Sequence, residues 1–121
     1  MAPTVLLVDD SIFMRAMLKR LASEAGLQVI GEAGNGQEAV EQFTALRPTV
    51  VVLDIIMPVM DGLQALEAIR KVSPKAVVIM CSSSGQQAMI DQSRQLGARD
   101  FIIKPFDPKE VLTVLRAAAG L

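Results

Sequence analysis

Five short apolar runs, Val5 to Val8, Val29 to Ala33, Val50 to Leu53, Ala76 to Cys81 and Phe101 to Ile103, punctuate the chain. Most are rich in Val and Ile and nearly unbroken, which predicts strands buried on both faces. Between them, apolar residues return every three or four positions: Phe13, Met17 and Leu21 with Met14 and Leu18; Ala39, Val40 and Phe43; Leu63, Leu66 and Ile69; Val111, Leu112 and Leu115. That period predicts helices whose stripes dock on the sheet. A further stretch, residues 86–96, is different. There Met89 and Ile90 are followed by Asp91, Gln92, Ser93, Arg94 and Gln95, so its apolar stripe is thin and a mobile helix is expected. Strand and helix alternating five times predict an α/β fold around a parallel sheet.

The punctuation agrees. Gly26, Arg47-Pro48, Ser73-Pro74 and Gly97 stand where helices should end, and Ser11, Asn35, Asp61 and Asp107-Pro108 where they should begin. No stretch has the character of a linker, and residues 1–121 are expected to form one domain.

Composition then removes whole classes of mechanism. The chain has no His, so histidine-activated nucleophiles, histidine zinc sites and imidazole pH switches are excluded. With no Trp or Tyr and only four Phe, it offers little surface for stacking bases. Twelve basic and thirteen acidic residues give net −1 without a basic run, so nucleic acid is not an expected partner. The single Cys81 lies inside an apolar run and is expected to be a buried strand thiol. No segment resembles a secretory signal, and none approaches the roughly 18 apolar residues of a membrane span, so a cytoplasmic location is expected.

Candidate chemistry comes from the residues that follow the runs, because open parallel sheets bind ligands outside the carboxyl ends of their strands. The first run is followed by Asp9-Asp10, the third by Asp54, the fourth by Ser82-Ser83-Ser84 and the fifth by Lys104-Pro105. Singly, each has an ordinary explanation as a cap, a turn hydroxyl or a surface lysine. Jointly, the fold would bring three carboxylates, a hydroxyl and an ammonium to one edge. Clustered carboxylates without His or Cys point to Mg²⁺, which pairs one or two carboxylates with substrate phosphate. Phosphoryl transfer through an aspartyl phosphate is the chemistry such a site suggests. Gly34-Asn35-Gly36-Gln37-Glu38-Ala39 formally fits a dinucleotide fingerprint. It follows the second strand, however, and the first turn carries two acids that would repel a pyrophosphate, so a plain glycine turn is expected.

The segments Leu6-Leu7-Val8-Asp9-Asp10-Ser11, Leu53-Asp54-Ile55-Ile56-Met57-Pro58-Val59-Met60-Asp61-Gly62 and Gly97-Ala98-Arg99-Asp100-Phe101-Ile102-Ile103-Lys104-Pro105-Phe106 carry a resemblance. Together they make the chain similar, end to end, to the receiver domains of two-component response regulators. The segments Val8 to Arg15 and Cys81 to Gln87 bring it nearest to the CheY-like chemotaxis subtype. The resemblance implies a flavodoxin-like doubly wound (βα)5 fold with strand order 2-1-3-4-5. It implies Asp54 as phosphoacceptor, Asp10 as a direct Mg²⁺ ligand, Asp9 as an acid holding a metal-bound water, and the Ile56 backbone carbonyl as a further ligand. Ser82 and Lys104 would bond the phosphoryl oxygens, Phe101 would change rotamer, and Lys104-Pro105 would be cis. Two departures bear on the lifetime of the phosphoryl group: Ser83 replaces a frequent alanine, and Ile56 puts an apolar side chain where a polar one is common.

Function follows from the same resemblance. A histidine kinase would supply the phosphoryl group, and the surface of the fourth helix, fifth strand and fifth helix, with Gln86, Met89, Ile90, Phe101 and Pro105, would meet a partner. The expected partner is the flagellar switch, with a phosphatase as a further candidate and the chain itself a monomer. As a signalling switch rather than an enzyme, it would catalyse only its own phosphorylation and dephosphorylation. The alternatives are the receiver of another regulator, such as a chemotaxis methylesterase, and an aspartate-nucleophile phosphohydrolase. The latter wants a second acid two residues after its nucleophile, where this chain has Ile56.

Overall fold

The computed structural model describes residues 2–121. Five strands and five helices alternate in the order β1 (Thr4–Val8), α1 (Ile12–Ala25), β2 (Gln28–Ala33), α2 (Gly36–Leu46), β3 (Val50–Asp54), α3 (Gly62–Val72), β4 (Val77–Ser82), α4 (Gln87–Gln95), β5 (Asp100–Ile103) and α5 (Pro108–Ala119). All pairings are parallel and the sheet runs β2-β1-β3-β4-β5, the expected order. Among the described residues, no helix is long and apolar enough to cross a membrane.

Alternation along each central strand divides the core into two layers. Val5, Leu7, Val50, Val52, Ile79 and Cys81 face α1 and α5, where Leu18, Leu21, Val111 and Leu115 meet them. Leu6, Val8, Val51, Leu53, Val78 and Met80 face the other way, onto Ala39 and Phe43 of α2 and Ala65, Leu66 and Ile69 of α3. Both faces are covered, so β1, β3 and β4 need apolar residues at nearly every position. The edge strand β2 is only partly buried over Val29 to Gly31, and its Glu32 is exposed, which explains the polar breaks in that run.

Helix starts fall where the sequence put them. Ser11, Asn35, Asp61 and Asp107 each accept a backbone N–H from the first turn that follows, and Pro108 opens α5. One expectation is corrected. Phe13, taken as part of the docking stripe of α1, is 82% exposed, because burial on α1 begins beyond its first turn, with Met17 partly buried against the core and Leu18, Leu21, Ala22 and Ala25 inside it.

Candidate functional site at the carboxyl edge of the sheet

The β1–α1 turn is fixed by its own polar atoms. Asp9 N–H donates to the Ala33 carbonyl of β2 at 3.1 Å, and Ser11 N–H donates to Asp9 Oδ1 at 2.9 Å. The Ser11 hydroxyl accepts from Met14 N–H and starts α1. Asp9 is thereby buried with one carboxylate oxygen engaged, while Asp10 is exposed and takes no part in these bonds.

Asp54 is the last residue of β3, in register with Cys81, and is buried. The loop beyond it is held tightly. Gly62 N–H donates to the Ile55 carbonyl at 2.7 Å and Gly36 N–H to the Met60 carbonyl at 2.9 Å. A Cβ on Gly62 would collide with the Asp54 carbonyl, and one on Gly36 with that of Met60, so both positions require glycine. The glycine turn that opens α2 is therefore also a clamp on the β3–α3 loop, a role beyond the plain turn expected from the sequence.

On the far side, Ser82 ends β4 fully buried, its hydroxyl accepting from Ser84 N–H at 3.1 Å, which leaves the O–H proton to be donated. Lys104 N–H donates to the Ser82 carbonyl at 2.8 Å, tying the ends of β4 and β5 together, and the Lys104-Pro105 peptide is cis. The Lys104 ammonium then reaches across the sheet to Asp9 Oδ2 at 2.7 Å and to Asp54 Oδ2 at 3.2 Å. Five sequence-selected residues, Asp9, Asp10, Asp54, Ser82 and Lys104, thus share the one edge. Phe101 is half-buried on β5, packed against the α2–α3 face of the core; Met89 and Ile90 are half-buried, and Gln86 and Pro105 exposed.

The electrostatics follow from this crowding. Burial lifts the Asp54 carboxyl above the usual carboxylate range; Asp9 and, more weakly, Asp10 push the same way, with Lys104 opposing. Burial works against the charge of Lys104, yet its bonds to Asp9 and Asp54 outweigh it and hold the ammonium above the ordinary lysine value. Burial also pushes the Cys81 thiol up, so it is inert, as expected. Oxygen atoms of Asp9, Asp10 and Asp54 lie within 4.8 Å of one another, an all-oxygen donor set suited to a hard cation.

Three features escaped the sequence. Arg15 donates from Nη1 to the Asp9 carbonyl at 2.6 Å, a bond that an arginine one helical turn past the cap could have suggested. Val59 has φ +70°, a left-handed conformation that β-branched residues disfavour, and nothing in its flanking residues announces it. Ile12, Phe13, Ile56 and Val59, on the segments that follow Asp10 and Asp54, are large apolar side chains left exposed.

Comparison with known proteins extends the picture along the whole chain. The chemotaxis protein CheY of Thermotoga maritima is 50% identical over 115 residues, 95% of this chain and 96% of that protein. A protein-glutamate methylesterase/protein-glutamine glutaminase of Caldanaerobacter subterraneus is 50% identical over 103 residues, 84% of this chain but 28% of that protein. The CheX-CheY-BeF3-Mg²⁺ complex from Borrelia burgdorferi superposes with a TM-score of 0.91 at 35% identity, covering 94% of this chain and 87% of the other. The family described as response regulator receiver domain matches residues 5–116, from the first strand into the last helix, and the chain belongs to that family.

Proposed function

We propose that the chain is a phosphorelay switch of the chemotaxis type, in which Asp54 accepts a phosphoryl group from a phosphohistidine on a histidine kinase. The observation that carries the reading is the ammonium of Lys104 held between Asp9 and Asp54 beside three clustered carboxylates. An Asp54 oxygen attacks phosphorus, the P–N bond breaks, the imidazole leaves, and an acyl phosphate forms. Asp10 and Asp54, with the Ile56 carbonyl, would hold Mg²⁺ directly, and Asp9 through water. When bound, the cation neutralises charge on the transferring phosphoryl group.

The remaining roles fall to the protein's own atoms. Phosphorylation takes an Asp54 oxygen from Lys104 and offers phosphoryl oxygens in its place, and the Ser82 hydroxyl donates to another. The Lys104 bond replaces one it already makes to Asp54, so the bond gained is that of Ser82 to a charged group, worth about 1.5–3 kcal/mol. A bond of that size shifts a two-state equilibrium about 10- to 150-fold, whereas turning 1:99 into 99:1 needs about 5.5 kcal/mol. Because Ser82 ends β4 and Lys104 directly follows β5, their movement repositions α4 and Phe101 and changes a surface made by Gln86, Met89, Ile90 and Pro105. The flagellar switch is the proposed reader of that surface and a phosphatase the means of resetting it, with the chain acting as a cytoplasmic monomer. Likeness to a methylesterase over 84% of the chain supports one second reading, a receiver that controls a methylesterase.

Incubation with acetyl phosphate and Mg²⁺ should give a single phosphoryl adduct by intact mass that is absent from Asp54→Ala. Turnover of phosphate esters without an adduct would overturn the reading in favour of a hydrolase. Capture by the flagellar switch, dependent on phosphodonor, separates the chemotaxis output from a methylesterase.

A further inference from the structure

Arg15 sits on the first full turn of α1, its side chain largely buried against the end of the sheet. Its guanidinium forks: Nη1 donates to the Asp9 carbonyl at 2.6 Å while Nε donates to Glu32 Oε1 on β2 at 3.1 Å. Lys19 approaches the other Glu32 oxygen at 4.0 Å. The bond to Asp9 is charge-assisted and part-buried, unlike an exposed ion pair of little worth. Its acceptor matters more than its strength. The Asp9 carbonyl belongs to the peptide that joins Asp9 to Asp10, and the N–H on the other side of Asp9 is already tied to Ala33. With both peptides of Asp9 held, and the Ser11 N–H beyond Asp10 held by Asp9 Oδ1, the backbone is restrained on either side of Asp10 and so is the direction in which its side chain leaves.

We propose that Arg15 is a positioning residue for divalent-cation binding: braced on Glu32, it orients the Asp9–Asp10 peptide so that the Asp10 carboxylate meets the cation. This rests on the reading that Mg²⁺ binds the acidic cluster. Positioning and charge predict opposite results, since a cation near the site repels Mg²⁺ and its removal alone would tighten binding. The fork is also specific to arginine, because an ammonium has no planar pair of donors for carbonyl and carboxylate together.

The test is the Mg²⁺ affinity of the full chain, measured by titration calorimetry without phosphodonor, beside amide hydrogen exchange at Ser11 in the metal-free state. Arg15→Ala should weaken Mg²⁺ binding about 10-fold and speed exchange at Ser11, Arg15→Lys should behave like the alanine variant, and Glu32→Gln should weaken binding in the same direction by less. Circular dichroism establishes that each variant is folded, and the exposed Glu32→Gln change keeps the test open if Arg15→Ala is not. Affinity of Arg15→Ala within about twofold of the unsubstituted chain, or full rescue by Arg15→Lys, would overturn the proposal. Asp10→Asn separates the two levels: if it leaves Mg²⁺ binding unchanged, the cation reading itself fails and the positioning role falls with it. If it abolishes binding while Arg15→Ala does not, only the role of Arg15 is lost.

Discussion

Helices α3 and α4 follow adjacent central strands, and each begins a few residues after a site residue, Asp54 for one and Ser82 for the other. Their construction could hardly differ more. At the start of α3, Asp61 and Gln64 form a reciprocal capping box; Ala65, Leu66 and Ile69 are buried, and Arg70 and Lys71 lie in the last turn, where cations suit the helix dipole. Residue Gln86 gives α4 no side-chain cap, and the one fully buried residue of that helix is Ser93, whose hydroxyl is spent on the Met89 carbonyl of its own helix. Burying Leu66 and Ile69 contributes about 1.5–3 kcal/mol each, and α4 has no equivalent. The lesson is a division of labour. The loop that follows Asp54 is fixed from several sides, whereas α4, the element that the proposed switch would move, is left near the low-stability end of the molecule.

The contrast can be broken most directly by cutting into each helix. Leu66→Ala should cost about 2–5 kcal/mol in urea unfolding, and Ile90→Ala, half-buried on α4, less than about 1 kcal/mol. Equal losses would end the distinction.

Strain and charge on the rigid side give intermediate effects. Val59→Gly removes a β-branched residue from a left-handed conformation and should stabilise the chain by about 1 kcal/mol, read as a higher urea midpoint with an unchanged slope. Asp54 ionises less readily folded than unfolded, so its charge costs stability above the folded pKa, and the cost disappears as pH falls below the unfolded value. Metal-free Asp54→Asn should therefore melt a few degrees higher than the unsubstituted chain at about pH 7, with the advantage gone near about pH 4. A constant difference across that range would mean that burial is not what raises the carboxyl.

The smallest change sharpens the comparison from the other side. Gln86→Ser supplies α4 with the acceptor it lacks and should add about 0.5–1 kcal/mol. Amide exchange within α4 should slow while that in α3 stays the same; slowing in both helices would show that they open together.

Much of this was legible in the residues. The polar positions after each apolar run named Asp9, Asp54, Ser82 and Lys104, because a parallel sheet gathers strand ends whatever their separation in the chain. The weakness of α4 was visible as a thin apolar stripe, Met89 and Ile90 followed by five polar residues. What could not be read was how these groups share partners. The Arg15 fork reaches back 6 residues to a backbone carbonyl and forward 17 to a carboxylate, and hydrophobic periodicity carries no record of either bond. Phe13 misled for a related reason. Periodicity identifies a helix face but does not say where along the helix burial begins, and here the first turn exposes a residue that matches the stripe.

Sheet order sets β3 and β4 between β1 and β5, so the bond from Lys104 to Asp9 is a chord drawn across the carboxyl end. It also closes a ring, since its two residues are 95 positions apart and every strand and helix except β1 and α5 lies within that span. A disulfide closing so large a loop would restrict the unfolded chain permanently. An ion pair makes the same connection but lets go whenever Asp9 or Lys104 finds other company. The chain thus carries a reversible clasp between the ends of its first strand and its last, and the ammonium that fastens it is shared with Asp54.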